Sequence, residues 1–183
     1  SGLSREASVA LLGIALGLNL IAETARLRVP ALNEAFIRLW SPVMRSSEVD
    51  RMSGAPYYLA SALLAVGLFP KPIAALSLLF LACGDPMASV VGILYGKYGP
   101  RFASGKSLIG TLGGIATCAL ISILFWNTIP AVHGYDYLAL VLTGALAGGM
   151  AELLPWEVDD NFIIPVVSGF ALWIACILLG VAF

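Results

Sequence analysis

The sequence predicts an all-α polytopic membrane protein of about six transmembrane helices with one cytoplasmic interfacial helix. Three observations carry this. The 183 residues are 60% hydrophobic and 11% charged, under half the roughly 25% of charged residues in a soluble domain. Mean hydropathy is +0.93. The few charges are clustered, with long stretches free of Asp, Glu, Lys and Arg between them. A net charge of −1 offers no basic excess for nucleic acid, so no such partner is expected. Cys83, Cys118 and Cys176 lie far apart in apolar runs and read as small core residues rather than a disulfide or zinc framework.

A spanning helix needs about 20 mostly apolar residues. That predicts spans at 7–24, 52–70, 72–96, 107–126, 136–154 and 161–183 within a single domain, 1–183. The first span lacks a basic n-region and a small-residue cleavage site, so it reads as a true span rather than a signal peptide. Pro30 then opens a segment in which Leu32, Phe36, Leu39, Trp40 and Val43 share a face, the pattern of a helix lying in the interface. Ser53, Gly54 and Pro56 end the polar loop and begin the second span. Asp85 sits inside the third, where a carboxylate costs roughly 2.5–3.5 kcal/mol on insertion scales. In Cys83-Gly84-Asp85-Pro86, Gly allows an unusual backbone angle, Asp suits an N-cap and Pro suits N1. The third span is therefore predicted to break there, leaving a half-helix whose N–H groups favour phosphate. A structural cap in a kinked helix is the other reading.

Basic residues orient the bundle, because short cytoplasmic loops favour Lys and Arg. Arg26, Arg28, Arg38, Arg45, Arg51, Lys97, Arg101 and Lys106 fall on one side, Arg5 and Lys71 on the other. Both ends of the chain are then extracytoplasmic. Most acids share the basic side, which suggests a site among its loops.

The loop before the fourth span, 95–114, is glycine-rich and carries Lys97, Arg101 and Lys106. Gly105-Lys106-Ser107 is not a P-loop, since Pro100 stands where the first glycine belongs and no strand precedes it. Cations and backbone N–H groups around a helix opening at Ser107 still suit a polyphosphate. A positive anchor with a glycine packing face at Gly110, Gly113 and Gly114 explains the same residues. In the last loop Glu152, Asp159, Asp160 and Asn161 form an oxygen-rich set suited to Mg²⁺, or simply to capping. The only histidine, His133, lies in an opposite-side loop, which excludes a Ser-His-Asp triad on the cytoplasmic face.

The ordered set ETAR (23–26), MRSSE (44–48), SGAPYY (53–58), GDPMASVVG (84–92), GK (96–97), GKSLIGT (105–111), then Glu152 and Asp160-Asn161, resembles the CTP-dependent lipid-alcohol kinases. These include dolichol, phytol and farnesol kinases and the CTP-using diacylglycerol kinase. The resemblance runs from Glu23 to near the end of the chain. It implies transfer of the γ-phosphoryl of CTP to a lipid hydroxyl, with Mg²⁺, so the implied partners are a membrane lipid alcohol and a nucleoside triphosphate. A homo-oligomer is compatible with it. In a prokaryote it implies the inner membrane, in a eukaryote the endoplasmic reticulum or plastid, with the active-site loops cytoplasmic.

On that resemblance Asp85 takes the proton of the lipid hydroxyl or coordinates Mg²⁺. Arg45, Lys97, Lys106, Ser107, Gly110 and Thr111 are expected to hold the nucleotide, and Glu152, Asp160 and Asn161 to serve the metal or hold the nucleotide. Glu23, Arg26 and Glu48 form a lipid-facing or secondary group. Two departures stand out: the Arg-Lys-x-x-His segment and extra helix common at the start of family members do not precede Ser1, and Ile109 replaces the acid of the usual K-S-L-E-G. A CTP:phosphatidate cytidylyltransferase is the nearest alternative, but 152–161 lacks that family's D-R-x-D ending. A small transporter is a further one.

Overall fold

A computed structural model describes residues 2–41, 48–102, 104–153 and 158–183. In chain order it contains α1 (Arg5–Arg28), α2 (Pro30–Trp40), α3 (Gly54–Leu68), α4 (Lys71–Leu79), α5 (Asp85–Tyr95), α6 (Leu108–Trp126), α7 (Gly134–Met150) and α8 (Asp160–Leu179). A π turn, Phe80–Gly84, joins α4 to α5, and short 3₁₀ turns follow α5 and α7. Among the described residues there is no strand.

Among the described residues, five helical stretches are long and apolar enough to cross a membrane: Arg5–Arg28, Lys71–Tyr98, Leu108–Trp126, Gly134–Leu153 and Asp160–Leu179. The α3 helix, with 15 residues, is shorter than the predicted span 52–70. Ser53 caps it by accepting from Ala55 N–H, and Phe69-Pro70 leaves it in extended backbone. At 1.5 Å per residue it rises about 22 Å. The α1 helix instead outruns its predicted end and carries Glu23 and Arg26 on its last turns.

The predicted interruption falls at its expected place in another form. Gly84 is helical (φ −65°, ψ −51°), and Asp85 N–H bonds Phe80 C=O across a π turn. The axis therefore continues, and the expectation of Asp85 as the N-cap of a separate half-helix is corrected. Glycine does not serve as a conformational release here; it serves as a small residue.

That use is systematic. Gly84, Ala88, Gly92 and Gly96 recur every four residues, as do Gly110, Gly114 and Cys118 on α6, so each series forms one face. A Cβ on Gly110 would lie 2.8 Å from the Ala88 carbonyl and 3.0 Å from Gly92 Cα. One on Gly84 would lie 2.6 Å from Cys118 Sγ. Small residues thus bring α5 and α6 into backbone contact, the usual solution where lipid gives no hydrophobic drive between helices. On the other side of α6, Phe80 presses its ring against Gly144 and Gly148 of α7. The core continues through Leu76, Phe80, Trp126, Leu140 and Leu172, all with no exposed surface. The α8 helix packs on α3, α4 and α7, while α1 sits at the margin against α2 and α3.

Candidate active site

At the loop end of the bundle a cavity of about 270 Å³ is lined by Asp85, Ala88 and Ser89 of α5, Lys106 and Ser107, Gly110 and Thr111 of α6, Glu152, and Asp160 of α8. Each wall follows from local sequence. Ser107 caps α6, its Oγ accepting from Gly110 N–H at 3.0 Å. The hydroxyl is buried against Gly92 and Gly96, where any added Cβ would crowd it. The preceding loop is closed by an isolated bridge between Arg101 and Ser107, by Arg101 donating to Gly105 C=O at 2.8 Å, and by Gly105 at φ +84°, a conformation that suits glycine. Lys106 is thereby held over the cavity.

Its ammonium is the electrostatic centre of the site. Nζ lies 2.9 Å from Asp160 Oδ2 and 3.3 Å from Glu152 Oε2, and donates to Glu152 C=O at 2.9 Å. The other Glu152 oxygen accepts from Thr111 Oγ1 at 2.9 Å. Lys106 and Asp160 keep about a quarter of their side-chain surface exposed, Glu152 about a tenth. Asp85 faces the same cavity from α5.

Asp85, Lys106, Ser107, Gly110, Thr111, Glu152 and Asp160 are therefore brought together, although they come from four separate stretches of chain. Other candidates lie elsewhere. Lys97 is exposed, with its ammonium 4.9 Å from the centre of the Tyr98 ring, and does not line the cavity. Asn161 turns to Asp159, with which its backbone and side-chain N–H groups both bond, and lies against Gly54. Asp160 lines the cavity, while Asn161, about 100° further round the helix, is turned to Asp159 and Gly54 instead. Arg45 lies outside the described residues. Ile109, at the family's acidic position, packs on Gly99 and lines no part of the cavity.

Glu23, Arg26 and Glu48 form a second polar cluster. Arg26 Nε and Nη2 donate to the two Glu23 oxygens at 3.0 and 2.9 Å, with both side chains nearly fully buried. Arg26 also donates to Asn33 Oδ1 and to the carbonyls of Glu48 and Arg51, and lies 4.6 Å from the Phe36 ring centre. Glu23 accepts from Ser53 N–H and Oγ, and Glu48 from Gly54 N–H. This cluster ties α1 and α2 to the start of α3, whose Gly54 touches Asn161 beside Asp160. It acts as a brace behind the cavity. Sequence reasoning passed over Ser89, although its position four residues after Asp85 places it on the same helical face.

Among the described residues, no three His, Cys, Asp or Glu side chains converge as a metal cage. Kinase Mg²⁺ sites need less, using one or two carboxylates plus substrate phosphates. Glu152 and Asp160 flanking a cation already fit that donor set.

Comparison with known proteins decides the family. The chain is 33% identical over 160 residues to the CTP-dependent diacylglycerol kinase 1 of Schizosaccharomyces pombe, covering 83% of this chain and 73% of that protein. The chain belongs to the CTP-dependent lipid-alcohol kinase family. Another member, the phytol kinase of Synechocystis, is 32% identical over 72% of this chain and 59% of its own length. The Saccharomyces cerevisiae CTP-dependent diacylglycerol kinase 1 is 26% identical, with 81% of this chain matched to 57% of that protein. No family model matches the chain, and no solved structure does. In this chain the α5 carboxylate and the charged loop end of α6 and α8 meet in one cavity.

Proposed function

We propose that the chain is a membrane kinase transferring the γ-phosphoryl of CTP to the hydroxyl of a lipid alcohol, a diacylglycerol or an isoprenoid alcohol such as phytol. The observation that carries this is the single cavity in which an α5 carboxylate within the membrane span meets a lysine and two carboxylates from the loop end. The lipid oxygen attacks the γ-phosphorus, the bond from that phosphorus to the β,γ-bridging oxygen breaks, and CDP leaves with that electron pair. Asp85 takes the hydroxyl proton. Such transfers ask chiefly for positioning and charge stabilisation.

Lys106 and the Thr111 hydroxyl hold the phosphates. Lys106 gives up its carboxylate partners to do so. Glu152 and Asp160 would hold Mg²⁺ together with the phosphates, and the ion would neutralise charge on them. The eight basic residues of the loops support a cytoplasmic placement of the cavity by the positive-inside rule. The relatives' names support the donor and the acceptor class.

The test is incubation of the purified protein with Mg²⁺, labelled CTP or ATP, and a panel of diacylglycerol, polyprenol, phytol and farnesol. Labelled phospholipid or isoprenyl phosphate with release of CDP is expected, strongest with CTP. Release of pyrophosphate, or no labelled lipid in any lane, overturns the reading.

A further inference from the structure

Ser89 is the one exposed polar side chain in the α5 wall of the cavity, four residues from Asp85. Its surroundings are unlike those of most helical hydroxyls in this bundle. Ser8, Thr24, Ser77, Thr117 and Ser168 each donate back to a carbonyl of their own helix, which satisfies a hydroxyl at membrane depth. Among the described residues the structure records no hydrogen bond by Ser89. It is not in the seam with Ala88, which is buried. It lies where the cavity face of α5 turns to its outward side, next to Pro86 and Ile93, three and four residues away and both exposed. Within a membrane span that side meets lipid. Asp85 and Ser89 thus share the α5 wall of the cavity, with Ser89 at its exposed edge.

We infer that Ser89 positions the acceptor: its hydroxyl hydrogen-bonds the lipid alcohol as it approaches from the bilayer along α5 and holds that oxygen beside Asp85. This rests on the kinase reading. Nucleotide and acceptor then reach the cavity from different directions, the first from the loops at Lys106 and the second laterally past Ser89. Ser89 is a positioning residue, because proton removal is assigned to Asp85.

Two measurements test it. In mixed micelles with diacylglycerol or phytol, Ser89→Ala should raise the KM for the lipid about tenfold, the effect of losing one hydrogen bond, with the KM for CTP and the melting temperature unchanged. Ser89→Thr, which keeps the hydroxyl, should restore most of the loss. An unchanged lipid KM, or equal shifts for lipid and CTP, overturns the assignment. Separately, in a Cys83→Ser background, Ser89→Cys should react with a small maleimide and be protected by phytol or diacylglycerol but not by CTP. Equal protection by CTP, or none by lipid, also overturns it. The labelling result stands whether or not phosphate is transferred, so a failure of the kinase reading is seen in the product assay alone.

Discussion

Replacing Lys106 by Ala removes the cation that lies between Glu152 and Asp160, at 3.3 and 2.9 Å. At an effective dielectric of 20, each contact is worth about 5 kcal/mol of bare attraction. Part of that returns as solvation of groups still partly exposed. Breaking a buried pair costs about 3–5 kcal/mol and a surface pair about 0–1. With side-chain exposures of 28%, 10% and 27% for Lys106, Glu152 and Asp160, an intermediate loss of about 2 kcal/mol follows. For a chain of this size that lowers the melting temperature by about 4–8 °C. The assay is thermal unfolding of the nucleotide-free protein in detergent, run with and without millimolar Mg²⁺. Lys106→Ala should melt lower in EDTA and regain part of the loss with Mg²⁺, because a divalent ion can replace the ammonium between the carboxylates. The same variant should raise the apparent KM for CTP at least about tenfold, the effect of one charge-assisted contact to phosphate. A melting temperature and KM both equal to the parent's would refute the idea that Lys106 balances the acids and then serves the nucleotide.

Other outcomes follow from the same geometry. Asp85→Asn should keep the melting temperature and lower turnover by about 100-fold or more, the usual contribution of a general base; near-parental turnover would remove Asp85 from its role. Gly110→Ala places a methyl 2.8 Å from the Ala88 carbonyl, against backbone that cannot step aside. A loss of about 1–3 kcal/mol and a fall in activity are expected by thermal unfolding and lipid-phosphate assay. Arg26→Met leaves Glu23 charged at 3% exposure, with a loss of about 3 kcal/mol or more seen as a lower melting temperature. Thr111→Val cuts the bond to Glu152 at a cost of about 1 kcal/mol, with a smaller rise in CTP KM than Lys106→Ala.

Much of this was legible in the sequence, and the failures have physical causes. Long apolar stretches announce helices because the bilayer admits few other backbones, so α6, α7 and α8 were found within a few residues. Asp85, Lys106, Thr111, Glu152 and Asp160 stood out because charge and hydroxyl are scarce beside apolar runs. Sequence could not say how three consecutive polar residues at the start of α8 divide their directions, so Asn161 was grouped with Asp160. Lys97 was grouped with Lys106 because both are cations of one loop, whereas the 3₁₀ turn after α5 carries Lys97 onto Tyr98. Glu23 and Arg26 read as candidates for lipid contact because their partners, Ser53 and the carbonyls of Glu48 and Arg51, lie more than twenty residues away. The cues at Gly84-Asp85-Pro86 fit a cap and a π turn equally well, since each residue tolerates both.

The π turn also determines which changes in chain length the protein can absorb. It holds one residue more than the α turn it replaces, so losing one there lets the helix close while both flanks keep their faces. Deletion of Cys83, whose side chain points out of the bundle, is the mildest such edit. A deletion further on, at Val90 for example, has no slack to draw on. It would turn Gly92 and Gly96 about 100° off the α6 seam and separate the helices that frame the cavity. Among natural variants, single-residue gaps in this span should therefore gather between Phe80 and Gly84 and be absent from the stretch that follows.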